Sequence, residues 1–137
     1  MYVSARLDYA LRALAVLANQ HDQQLLTTAS LAEAAGASER YMGPILAELR
    51  HRGLVVSKRG YQAGCRLARP ATAISVGDVV AALGIWPVDV HESTNPLDEV
   101  GERLAALWQR VGGMTQDVLA SVTLADVAAG TTPALAG

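Results

Sequence analysis

The sequence predicts a mainly α fold with one small β-hairpin, and three observations lead there. The composition is 51% apolar over 137 residues, mostly Ala, Leu and Val with no Phe, which suits closely packed helices around one core. Apolar residues recur at three- and four-residue steps through most of the chain. Ser or Thr precedes several of these periodic runs and Gly follows several, the residue types that start and stop helices.

Val3, Leu7, Ala10, Leu11, Leu14, Leu17 and Ala18 step along one face of a first helix, with Ser4 as its N-cap and the polar residues 19–22 as its end. A second helix starts at Thr27 or Thr28, turns Leu31, Ala32 and Ala35 inward and stops at Gly36. Ser38 caps a third, with Met42, Ile45, Leu46 and Leu49 on its apolar face, Glu39, Arg40, Glu48, Arg50 and His51 on the other, and Gly53 at its end. Pro44 has no N–H to give this helix, so the helix is expected to begin late or to kink. Residues 54–58 and 65–68 read as two short strands joined by a turn over 59–64.

Two helices separated by Gly36, Ala37 and Ser38 have the turn chemistry of a helix-turn-helix, and the hairpin after them makes a wing. In that arrangement the third helix enters the major groove N-terminus first, so Ser38, Arg40 and Tyr41 are candidates for base edges or phosphates, with Thr28 and Arg50 as further DNA contacts. Arg59 at the wing tip suits a narrow minor groove, and Lys58 and Arg66 suit the flanking phosphates. Charge follows the same division. Residues 1–70 carry nine Lys/Arg against five Asp/Glu, residues 71–137 two against eight, and residues 38–70 alone seven against two. The same pattern also serves a winged-helix module that binds protein, and that alternative stays open here.

A proline-marked linker leads to Ser75, which with Asp78 makes a capping box for a helix through Val79, Val80 and Leu83 to Gly84. A polar loop, 87–96, follows. Beyond it Leu97, Val100, Leu104, Leu107, Val111, Met114 and Val118 alternate steps of three and four, a heptad-like seam on which Trp108 also lies. A helix from Leu97 to Val122 would be about 39 Å long, more than one small body covers, so these residues are the expected surface of a homodimer. Gly112 and Gly113 predict a bend in it. Thr123 and Asp126 form another capping box for a short last helix, and residues 131–137 read as a frayed end. The expected organisation is a winged helix-turn-helix over 1–70 and a linker helix, loop, long dimerisation helix and short terminal helix over 71–137, together one compact unit.

Cys65, the sole cysteine, excludes an internal disulfide and suits a reducing, cytoplasmic setting. No apolar run is long enough for a membrane span, and no signal-type leader is apparent. No nucleophile–base pair, phosphate loop or ligand cluster points to an enzyme. His21, His51 and His91 are scattered, which predicts no metal site; His91 with Asp89 and Glu92 reads as a polar connection or a weak cation site. Trp86, ahead of the polar loop, is a candidate wall for a small-molecule effector pocket, while Trp108 is expected in the core.

Four segments together resemble the Rrf2 family of winged-helix regulators, which includes the IscR and NsrR branches. They are Asp8-Tyr9-Ala10-Leu11-Arg12-Ala13-Leu14; Leu31-Ala32-Glu33-Ala34-Ala35-Gly36 with Tyr41 after it; Gly53-Leu54-Val55 running into Lys58-Arg59-Gly60; and Thr123-Leu124-Ala125-Asp126. The resemblance implies a transcriptional regulator, expected to be a repressor, that binds a roughly palindromic operator on double-stranded DNA as a homodimer, with Arg59 in the minor groove. Several branches hold an iron-sulfur cluster on three cysteines in the loop before the long helix. Here that loop has none, so no cofactor is expected, and Asp8, where one branch takes a further ligand, reads as an exposed or capping carboxylate. Cys65 replaces the tyrosine usual in the returning wing strand. It reads as a small apolar filler or, with Arg59 and Arg66 near, as a thiol-based redox sensor.

Overall fold

The computed structural model describes residues 3–20, 24–87 and 98–130. Helices α1 (Ala5–Ala18), α2 (Thr28–Ala35) and α3 (Glu39–His51) are followed by strands β1 (Val55–Lys58) and β2 (Gly64–Leu67), then α4 (Val76–Leu83), α5 (Glu99–Ser121) and α6 (Leu124–Ala129). A 3-10 turn over Ala71–Ala73 fills the linker before α4.

Helix α1 is the centre of the body and touches α2, α3, α4, α6 and β2. Its buried residues Leu7, Ala10, Ala13, Leu14 and Leu17 recur at helical spacing, and the two alanines let neighbouring helices approach closely. Ser4 accepts the Leu7 N–H at 3.1 Å and fixes where the helix begins, which leaves Val3 outside it and 50% exposed rather than on its apolar face.

The core contains Leu31 and Ala35 from α2, Met42, Ile45, Leu46 and Leu49 from α3, Val55 and Cys65 from the hairpin, Val79 and Val80 from α4 and Leu124 from α6. Strands β1 and β2 pair antiparallel with Val55 opposite Leu67 and Lys58 opposite Gly64. Leu26 adds one bridge to this hairpin, where it and Cys65 exchange backbone hydrogen bonds at 3.0 and 2.8 Å. Gly64 permits the approach: a Cβ there would stand 2.8 Å from the Leu26 carbonyl oxygen.

The starts of α3 and α5 differ from those expected. Helix α3 starts at Glu39, directly after the Ser38 cap, and runs through Pro44 to His51, so it does not begin late. Proline costs it the bond to the Arg40 carbonyl, and four buried side chains hold the helix regardless. Helix α5 starts at Glu99 because Asp98 caps it, accepting the Gly101 N–H at 2.8 Å. It continues helical through Gly112 and Gly113, and its 23 residues span about 34 Å.

None of the residues of α5 is buried. Its C-terminal end meets the body, where Leu119 packs against the core and Gly77 of α4 lies against the backbone of Ala120. Trp108, expected in the core, is 48% exposed, because among the described residues nothing covers the part of α5 that carries it. No helix among the described residues is long and apolar enough to cross a membrane.

Candidate nucleic-acid interface

The turn between α2 and α3 is set by three residues. Gly36 takes a left-handed conformation (φ 76°), which an L side chain rarely adopts, and the Ala37 N–H bonds back to the Ala32 carbonyl at 2.9 Å. Ser38 then accepts the Tyr41 N–H at 3.1 Å and starts α3. At the other end of the pair, Thr27 accepts the Ser30 N–H at 3.1 Å and leaves Thr28 as the first residue of α2.

Between the start of α2, the side of α3 and the wing lies an open cleft of about 380 Å³. Thr28, Arg50, Lys58 and Arg59 line it, with Glu39 as its carboxylate. Arg50 comes from the last turn of α3 and donates to the Ser57 hydroxyl at 3.3 Å, a bond that ties the helix to the wing. Three cations against one carboxylate beside a helix N-terminus make an anion-attracting surface. The wing tip adds an aromatic, Tyr61, 87% exposed.

The other expected contacts divide. Ser38 and Arg40 are exposed at the N-terminal end of α3. Tyr41 is held against α1, its ring edge-on to Tyr9 with centroids 5.5 Å apart, so it braces the helix as well as facing solvent. Arg66 is not in the cleft. Its neighbour Cys65 faces that side, so Arg66 points to the opposite face of the strand and lines a separate depression of about 280 Å³ with Gln20, Gln24 and Arg69. Ser57 and Ala47, and Pro44 in any role but that of a helix breaker, escaped the sequence reading. Ser57 sits among β-branched strand residues without a motif, and the other two lie opposite the buried face of α3, a placement available from its helical periodicity.

Cys65 is 5% exposed, and burial pushes its thiol above the ordinary value, against the accessible thiolate that redox sensing needs. The carboxylate of Asp8 accepts from Arg12 at 2.7 Å on the surface of α1. Trp86 lies just past the end of α4 at the surface, while His91 and Leu97 fall outside the described residues. Val100, Leu104, Leu107, Trp108, Met114 and Val118 are all exposed along α5, and Val111 is half-buried.

A profile of the Rrf2 family, described as an iron-dependent transcriptional regulator, matches residues 3–130. The chain belongs to the Rrf2 family. Among its Rrf2 relatives, CymR of Bacillus subtilis, an HTH-type transcriptional regulator, is 33% identical over 130 residues, 93% of this chain and 90% of CymR. The solved structure of CymR, described as the global cysteine regulator of B. subtilis, superposes with a TM-score of 0.78 at 32% identity, covering 96% of this chain and 98% of that one. The T. potens IscR structure superposes with a TM-score of 0.76 at 33% identity, over 100% of this chain and 93% of that one. The mainly helical body with its two-stranded wing is thus the winged helix-turn-helix of Rrf2 transcriptional regulators, and the relatives named are regulators rather than enzymes.

The Rrf2 description includes iron. Thiolates are the chief ligands of iron-sulfur clusters, and this member has one cysteine, buried in the wing. Among the described residues no group of three or more His, Cys, Asp or Glu is placed to hold a metal ion. The donors present do not fit a thiolate-held cluster.

Proposed function

We propose that this Rrf2 protein is a cytoplasmic homodimer that represses transcription by occupying a roughly palindromic operator. The observation that carries the reading is the cleft where Arg50, Lys58 and Arg59 meet the start of α2 beside the exposed side of α3. The cations and the α2 N-terminus neutralise backbone phosphates, Arg40 and neighbouring residues of α3 meet the major groove, and Arg59 reaches the minor groove from the wing tip.

The homodimer reading rests on α5, whose apolar face is left exposed by the described residues of the protomer. A two-fold copy of the same helix buries that face, and paired half-sites about 34 Å apart call for such symmetry.

Mobility shifts on DNA from upstream of the protein's own coding region, at several salt concentrations, test the reading. If Arg50 and Lys58 of each protomer neutralise one phosphate apiece, the four contacts of a dimer give log affinity a slope of about −4 against log salt. Absent or salt-insensitive binding overturns the DNA reading, and a monomer by sedimentation at micromolar concentration overturns the dimer.

A further inference from the structure

The outward stripe of α3 lacks polar side chains over two turns. Residues spaced i, i+4, i+7 and i+11 share a helix face, and the face opposite buried Met42, Ile45, Leu46 and Leu49 is Arg40, Pro44, Ala47 and His51, every one exposed. Gly43 flanks the stripe on the side of the wing cleft. Between Arg40 and His51, therefore, the centre line of the surface available to a groove is made by Pro44 and Ala47 with Gly43 beside them, none of which has a side-chain donor or acceptor; Glu48 lies to one side, half-buried and paired with Arg52 at 3.7 Å, and Arg50 to the other, bonded to Ser57. Tyr41 is partly exposed but lies about a quarter-turn round the helix from this stripe, edge-on to Tyr9, and Glu39 faces the cleft.

A helix without polar groups at its centre cannot satisfy the donors and acceptors of guanine, cytosine or adenine there. The major groove offers one apolar feature, the C5 methyl of thymine. Small side chains also let the α3 backbone lie close to the groove floor. Pro44 and Ala47 are about 4.5 Å apart along the helix axis, near the rise of one base-pair step, so together they cover two adjacent base pairs.

We infer that Pro44 and Ala47 read thymine methyl groups on adjacent base pairs at the middle of each operator half-site, with Arg40 as the polar reader beside them. This specificity rests on the DNA-binding function proposed above. It makes the centre of the half-site a matter of shape and apolar contact, and puts hydrogen-bonded readout at the Arg40 end.

The test is to select sites from a random duplex library with the full-length protein, then to replace each selected thymine in turn by deoxyuridine. That change removes a methyl from the major groove and leaves the base pair's hydrogen bonds and the minor groove as they were. Binding is expected to weaken about three- to four-fold for each methyl at two adjacent positions per half-site, the effect of exposing one methyl-sized group, and to stay unchanged at thymines beneath the wing. Ala47→Gly should abolish the sensitivity at one of the two. Since glycine also weakens a helix, Ala47→Gln serves as a second variant: it keeps helix propensity, should move the preference there towards adenine, and should make deoxyuridine silent. Specific binding that ignores deoxyuridine at every position, or loses equally at thymines outside the α3 footprint, overturns the methyl readout while leaving DNA binding in place. Failure to select any sequence overturns both.

Discussion

Ser75 and Thr123 face each other across a two-bond antiparallel bridge, and each is also the N-cap of a helix closed by a capping box. The bridge uses backbone groups of their neighbours, Val76 N–H to the Val122 carbonyl at 2.8 Å and Leu124 N–H to the Ile74 carbonyl at 2.9 Å. Their side chains meanwhile accept the Asp78 and Asp126 N–H groups. Helices α4 and α6 thus start from one joint, at which α5 also ends. Ser75→Ala and Thr123→Ala should each cost about 1 kcal/mol, and the double variant should fall short of their sum by more than about 0.5 kcal/mol, because fraying one start loosens the other. Urea unfolding of the four proteins measures this, and strict additivity refutes the coupling.

Gly64→Ala should damage the wing at its root. The added Cβ would meet the Leu26 carbonyl oxygen at 2.8 Å, and since that atom belongs to backbone, one of the two segments must move. Overpacking of this kind costs about 1–3 kcal/mol. Because the displaced segment holds β2 to the residues just before α2, DNA affinity should fall along with stability. Thermal melts and mobility shifts check the pair, and a variant as stable as the parent contradicts the close approach.

Arg59→Ala and Arg66→Ala should part company. Arg59 lines the cleft beside Lys58, whereas Arg66 points away from it into the depression with Gln20 and Arg69. Loss of Arg59 is expected to weaken specific binding by about 1–3 kcal/mol. Loss of Arg66 should leave it within about twofold, the scale of a distant screened charge. Titrations at one fixed salt concentration decide; equal losses would return Arg66 to the interface.

The helix-turn-helix and wing were legible in the sequence because their signals are local. Ser4, Thr27, Ser38, Ser75 and Thr123 each cap the helix they precede, and Gly36 supplies the positive φ its turn demands. What escaped depended on tertiary placement. Arg66 and Lys58 look alike in the sequence, and the strand register even sets them on the same face of the hairpin; what separates them is position along it, Lys58 ending β1 beside the cleft and Arg66 lying nearer the root with Gln20 and Arg69. Trp108 has the periodicity of a core residue, yet periodicity gives a face and not what covers it. Pro44 reads as a helix breaker, and its neighbours in the core outweigh one lost hydrogen bond.

Leu107→Glu should separate dimerisation from folding. The side chain is exposed on α5, which has no buried residue, so helicity and melting of the protomer should change little apart from any stabilisation that pairing provides. A carboxylate in a buried two-fold seam has no partner of opposite sign opposite its own copy, and costs several kcal/mol to desolvate. Sedimentation is expected to show monomer, and affinity for a two-half-site duplex should fall towards that for a single half-site. A variant that remains dimeric moves the interface off this face of α5.

Cys65 gives the protein a pH dependence whose sign is set by its burial. The thiol is pushed above the ordinary value of 9.0 because the wing strand and core leave its thiolate without water. Well below pH 9.0 the thiol is protonated in both the folded and the unfolded chain, and the residue makes no difference to how stability varies with pH. Above it the unfolded chain releases its proton first, so the folded form binds more protons and loses stability as pH rises. Lysines and tyrosines titrate in the same range, and the comparison that isolates the thiol is Cys65→Ala. Its smaller side chain costs a roughly constant amount, so the stability gap between parent and variant should narrow as pH climbs from 9 to 10.5 in urea unfolding. In the native protein at pH 8 the thiol should react slowly with a disulfide reagent, and at a rate that follows opening of the wing; rapid labelling of the folded chain at that pH would restore Cys65 as an accessible redox group.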